Sequence, residues 1–458
     1  MRHATLVLTL LIATGPCALF RGSVLAQVDQ LSEARQLLIE AGTLIKDVPE
    51  FQQGSAVANV SSQLARAGDL TEALAVVRLL KQEEQGLAIG CIAWQLAKSG
   101  NAAQARSLIE GTKGPSTNSS FQQLAQLLVQ KGDFEQGLGI AHLIIEPQPL
   151  ADTLVRLAVL RAKDGDRAGA SRALDAALDV ANDATTKDFR NATIFGEIAS
   201  AQAEIGETPE TSFALGRLYA IAYQRKVGSG DTSLLQDLAA TEARIGNISD
   251  ATDIVGELSE GSADYVLILI SQEVARKRSM TEALEVASNI SALSTRDSAL
   301  REIAMIRGRA GHSDDSLEAI DMMTNPSSRA EAVGVLALEQ AEAEDPGAYT
   351  TLQLWEGATG GGIADGGRAR EFAAVTYGLL GDFVSAERIL SSIQEPEVRV
   401  WPLWNLTSFL VNKGHAQEAF DIAYQEEAAY PRVYALLGTA SGILDQLESE
   451  GKAKSNRH

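Results

Sequence analysis

The chain has 458 residues, 45% apolar and 22% charged, with 11 Pro, 2 Cys and a net charge of −21. Two cysteines exclude a disulfide scaffold and a cysteine-based zinc framework. The balanced composition excludes wholesale disorder, and the acidity argues against nucleic acid and anionic membranes as main partners. Few prolines and many apolar residues suit continuous helix.

In chain order, residues 1–26 have the layout of a secretory signal peptide: Arg2 and His3, an apolar run Leu6–Ala13, a break at Gly15-Pro16, and Val24-Leu25-Ala26 before Gln27. The run is far short of the roughly 20 apolar residues that cross a bilayer, and no later segment is longer, so no stable membrane insertion is expected. Removing it leaves Cys91 as the one thiol, expected to be buried among Ile89, Ile92 and Ala93. Residues 27–48 read as an N-terminal capping helix, with Ala34, Leu37, Leu38 and Leu44 along one side.

From residue 49 to 430 a turn signal recurs, at Gly68, Gly100, Gly132, Gly165, Gly206, Gly246, Gly311, Gly381 and Gly414. The spacings are 32, 32, 33, 41, 40, 65, 70 and 33. The two long ones divide if Arg278 and Glu344 stand where a Gly would be. Seven residues before each turn lies a small residue: Ser61, Ala93, Ala125, Ala158, Ala199, Ala239, Ala304, Ala374 and Thr407. Five residues after it lies another: Ala73, Ala105, Gly137, Ala170, Thr211, Ala251, Ser316, Ala386 and Ala419. Small residues at fixed places let two helix backbones approach closely, while larger apolar residues such as Leu64, Leu70, Leu74 and Val77 fill the space at helical spacing. The turn Gly ends one helix in the left-handed region and the next residue caps the following one. Asp69 with Glu72, Asp133 with Gln136 and Ser279 with Glu282 have capping-box spacing. Trp401-Pro402 reads as the opening of the last inner helix. The Gly-rich stretch 357–367 reads as an interruption of the series, since no Lys-Ser or Lys-Thr follows it as in a phosphate loop. Residues 431–450 read as a C-terminal capping helix and 451–458 as a disordered tail.

With Ala93–Gly100–Ala105 and Ala374–Gly381–Ala386 in view, the chain resembles the tetratricopeptide (TPR) family, whose unit of about 34 residues has a small residue, a Gly-Asp-like turn and an Ala at these places. The family's Pro near the repeat end is mostly missing and its aromatic positions are mostly Leu, Val or Ile. Other helical-hairpin repeats are therefore the alternative. The resemblance implies an all-α fold, an α-solenoid of about eleven helix-turn-helix repeats closed by capping helices.

No catalytic set, metal-ligand spacing or cofactor motif assembles from the five His and the acid pairs, so a non-enzymatic protein without cofactor is expected. The resemblance places ligands on the concave face. Two residues before the turns runs a basic row, Arg66, Lys98, Lys163, Arg244, Arg276 and Arg309, which would suit an acidic peptide. The plainer reading is that cations favour the C-terminal end of a helix dipole. Trp94 and Trp404 are candidate interface anchors, with burial between helices as the plainer alternative. The expected function is an exported scaffold, periplasmic or secreted, that binds a protein or peptide, with self-association left open. The alternative is a cell-envelope glycan-binding or glycan-processing protein, which calls for an extra domain with a catalytic Glu or an aromatic sugar platform.

Overall fold

The computed structural model describes residues 16–112, 116–206, 208–277, 279–358 and 367–455. Among these the regular elements are helices, with no strand. Arg278 and residues 359–366, the body of the Gly-rich interruption, lie outside the described residues, as does the apolar run Leu6–Ala13.

The local reading of the turns holds. All nine turn glycines have φ between 79° and 96°, a region that L side chains rarely adopt. Glu344, one of the two stand-ins, is the one non-Gly residue at positive φ among those described, at 56°. The caps follow: Asp69 accepts from the Glu72 N–H at 3.2 Å, Asp133 from Gln136 at 3.1 Å and Ser279 from Glu282 at 3.2 Å. The small residues before the turns are fully buried, from Ser61 to Thr407. Two of the small residues after the turns show how closely they meet them. A Cβ on Gly137 would lie 2.9 Å from the Ala125 carbonyl oxygen, and the Ser316 hydroxyl donates to the Ala304 carbonyl at 2.7 Å. The 41- and 40-residue spacings arise from long second helices, Arg167–Lys187 and Thr208–Ser229.

The chain divides into two compact units, a terminal one (residues 1–92 with 377–458) and a central one (93–376). In the terminal unit the helices Pro16–Leu44 and Ala429–Ser455, expected as separate caps, pack along each other. Each therefore covers apolar residues that a free end would expose: Ala34, Leu38 and Ala41 on one, Val433, Leu437 and Ala440 on the other, are all fully buried. The first of these helices runs through the Ala26–Gln27 junction without a break, and the second continues to Ser455, into the segment expected as a tail. Ala429–Ser455 also packs tightly on Pro396–Asn412. There, Cβ atoms on Gly438 and Gly442 would come within 2.1 Å of the Trp404 carbonyl oxygen and 2.8 Å of the Ser408 one. Pro396, not Pro402, opens that helix; Pro402 lies inside it.

Polar bonds line the edges of the joint between the two ends. Arg66 pairs with Asp445 at 2.6 Å and Glu448 at 2.7 Å. The Asn59 amide donates to the Tyr434 hydroxyl at 3.0 Å, and Arg432 and the Tyr424 hydroxyl both donate to Glu40, at 2.9 and 3.0 Å. Cys91 is half-buried rather than enclosed, and burial pushes its thiol up from the ordinary value.

In the central unit, successive helix pairs are tied by repeated devices. Buried Asp264 accepts from the Ser291 and Ala292 N–H groups at 2.9 and 3.0 Å. Asp297, 33 residues on, does the same for Thr324 and Asn325, both at 2.8 Å. Lys131 donates to the Ala97 carbonyl at 3.0 Å and Lys277 to the Arg244 carbonyl at 2.8 Å, each satisfying the open end of the preceding inner helix.

Candidate functional site

A groove of about 1020 Å³ opens in the central unit. It is lined from the helices Ser116–Gln130, Pro147–Lys163, Thr193–Ile205, Ser233–Ile245 and Glu260–Lys277, the first helices of consecutive hairpins. Helical period explains its lining. Residues nine and two before a turn Gly are seven apart, two helical turns, and share a face. Arg156 with Lys163, Glu197 with Glu204 and the residue pair ending in Arg244 all hold these places, and all these named residues line the groove.

The structure thus gathers Lys163, Arg244 and Arg276 of the expected row into one site and distributes the others. Arg309 belongs to a separate cleft of about 440 Å³, held to Glu339 at 2.8 Å. The Lys98 ammonium sits over the Trp94 ring, 5.2 Å from its centre, so these two satisfy each other. Arg66 is bound to the last helix, with its side chain 10% exposed, and is not a groove residue. Trp404 packs on Tyr434, ring centres 5.9 Å apart, in the terminal unit.

Charges in the groove are unequally matched. Lys163 pairs with Glu204 at 3.2 Å, while Arg276 and Lys277 both engage Glu273. The Lys163–Glu204 pair is exposed on both sides and contributes less than about 1 kcal/mol, whereas Glu273 is buried beneath its two cations. Arg156 and Arg244 are exposed and, among the described residues, stand in no ion pair.

Beside them lies a carboxyl pair that the sequence reading missed. The Gln148 side-chain amide donates to Asp152 at 3.1 Å and to Glu197 at 3.0 Å. The Thr193 hydroxyl donates to the Gln148 carbonyl oxygen at 3.2 Å, which orients the amide with its NH₂ toward both acids. Burial, and then the hydrogen bond and charge of Asp152, push the Glu197 carboxyl up to about 9; the charges of Arg244 and Arg156 pull the other way and do not overcome this. Burial likewise raises Asp237, opposed by Arg244. The signal available in the sequence was register: Glu197, Asp237 and Arg156 each lie nine residues before a turn Gly. Asp152, four residues before Arg156, extends the same face by a turn.

No protein-family model matches the chain, and no curated protein matches it by sequence. Among solved structures it is similar to the crystal structure of Ton1535 from Thermococcus onnurineus NA1, at 16% identity over 76% of this chain and 97% of that one, with a TM-score of 0.28. It is also similar to a circular tandem repeat protein with novel repeat topology and enhanced subunit contact surfaces, at 14% identity over 94% and 99%, with a TM-score of 0.16. Scores this low carry no functional inference. What stands is an all-helical chain of packed helices, in which no described helix is long and apolar enough to cross a membrane.

Proposed function

We propose that the protein is an exported, non-enzymatic scaffold, an α-solenoid of TPR-like hairpins that binds an acidic stretch of a protein or peptide partner in the central groove. The observation that carries this reading is the inequality among the groove's cations. Three are engaged by two neighbouring acids, while Arg156 and Arg244 are exposed and stand in no ion pair among the described residues. Guanidinium forks match carboxylates in shape as well as charge. The volume lies at the upper end of the roughly 300–1,000 Å³ usual for small-molecule sites, which suits a segment of chain better than a small metabolite. The N-terminal layout of Leu6–Ala13 and Val24-Leu25-Ala26 supports export.

Fluorescence anisotropy with a fluorescein-labelled hexaglutamate peptide, at about 0.15 M salt to screen the acidic surface, tests the groove. The double variant Arg156→Glu/Arg244→Glu is expected to bind at least about tenfold more weakly than wild type, the equivalent of 1.4 kcal/mol or more. Arg309→Glu, in the separate cleft, is expected to bind as wild type does. Equal affinity of the double variant and wild type overturns the assignment.

A further inference from the structure

The unpaired state of Arg156 and Arg244 needs a cause, because a glutamate stands close enough for both their charges to act on it. An ionised Glu197 would be their natural partner. The hydrogen-bond pattern shows why it does not serve. Gln148 has two amide protons, and one goes to each of Asp152 and Glu197. Two carboxyl groups drawn around one half-buried donor cannot both carry full charge cheaply, so one keeps a proton.

We propose that Asp152 and Glu197 form a one-proton pair that gates the groove for anionic ligands. With the proton in place, Glu197 is neutral and the two guanidinium groups are free to take a ligand carboxylate. When the proton leaves to solvent, the Glu197 carboxylate becomes an internal competitor for the same groups and adds a negative charge beneath the ligand. This rests on the reading of the groove as an acidic-peptide site and states how that site is regulated.

The groups facing the pair are few enough to name. Pro147–Lys163 contributes Gln148 and Arg156, and Thr193–Ile205 contributes Thr193. Ser233–Ile245 contributes Arg244, which also bears on Asp237. Ser116–Gln130 supplies only uncharged Gln126 and Gln130, Glu260–Lys277 supplies Glu273 with Arg276 and Lys277 both on it, and Lys163 is paired with Glu204. The outer helices Arg167–Lys187 and Thr208–Ser229 supply no lining residue.

The test measures hexaglutamate affinity of the full-length protein and of Glu197→Gln at pH 7 and pH 9.5, at constant ionic strength. Wild type is expected to lose about tenfold in affinity across this range and Glu197→Gln to lose much less; lysine titration affects both alike. A fall of the same size in both overturns the gate while leaving the peptide reading intact. Failure of wild type to bind at either pH overturns the peptide reading and the gate with it.

A second measurement needs no ligand. A carboxyl raised from 4.5 toward 9 on folding holds a proton that the unfolded chain releases, so its contribution to stability falls as pH rises between those values. The Tm advantage of Glu197→Gln over wild type is therefore expected to widen by several degrees from pH 4 to pH 8.5. A constant difference overturns the proton pair itself.

Discussion

Arg66 and Arg244 occupy the same place in the repeat, two residues before the turn Gly, yet they have opposite fates. In the terminal unit Arg66 is grasped by Asp445 and Glu448 from the last helix and is mostly enclosed. In the central unit Arg244 faces an open groove with no ion-pair partner among the described residues. The difference lies in what the chain brings opposite the row. Where another helix closes over it, the cation becomes part of the packing; where the neighbouring inner helices leave a groove, it stays available to a ligand. A repeat position thus has a fixed direction but no fixed role.

Three substitutions sharpen this contrast. The largest effect is expected for Gly438→Ala in the terminal unit, since the added methyl would meet the Trp404 carbonyl oxygen at 2.1 Å and the Thr407 hydroxyl at 2.2 Å. Two helix backbones must separate to admit it, which costs about 3 kcal/mol, at the upper end of the usual penalty for overpacking. Gly216→Ala in the central unit, where nothing lies within 4 Å, is expected to stabilise by about 1 kcal/mol instead. Thermal melts of the two variants distinguish them by sign.

A smaller effect is expected for truncation of the two arginines. Arg66→Ala leaves Asp445 and Glu448 without their cation and is expected to cost about 1–2 kcal/mol, with hexaglutamate binding unchanged. Arg244→Ala is expected to stay within about 0.5 kcal/mol of wild type in stability and to weaken that binding. Urea unfolding and anisotropy on the same preparations check both. Loss of binding in Arg66→Ala would erase the distinction between the regions.

The smallest effect concerns pH in the central unit away from the groove. Burial, with Glu331 adding to it and Arg368 opposing, pushes the Glu371 carboxyl up to about 7. The folded chain binds that proton more tightly than the unfolded chain, so stability from this group is lost as pH rises from 4.5 to about 7. Glu371→Gln is expected to flatten that part of the Tm-against-pH curve by a degree or two, whereas Arg66→Ala, which removes a group charged throughout the range, is expected to shift the curve without changing its slope there.

The hairpin geometry was legible because it is local. Nine turn glycines at positive φ, Glu344 standing in at a tenth turn, and small residues buried seven before each turn and, where described, five after it all follow from what one turn and two adjoining helices require. The candidate site was half legible. The basic row marked Lys163, Arg244 and Arg276, but the same rule also marked Arg66, Lys98 and Arg309, which the structure commits elsewhere. Gln148 and Asp152 share one helix, but Glu197 stands 49 and 45 residues further on in another, and Asp152 and Glu197 have different places in their repeats, so the trio was missed. Gly438 and Gly442 were missed for the same reason: their small size is required by a neighbouring helix, not by a turn of their own.

By itself the sequence determined that this chain forms helices, where they turn, and which face of each turns inward, because periodicity and turn chemistry act over a few residues. Only the tertiary structure decided that the first and last helices cover one another, and which carboxyl groups share a donor beside Arg156 and Arg244. Those outcomes depend on which helix lies opposite, and a repeat gives every helix the same local instructions while leaving its neighbours' charged residues free to differ.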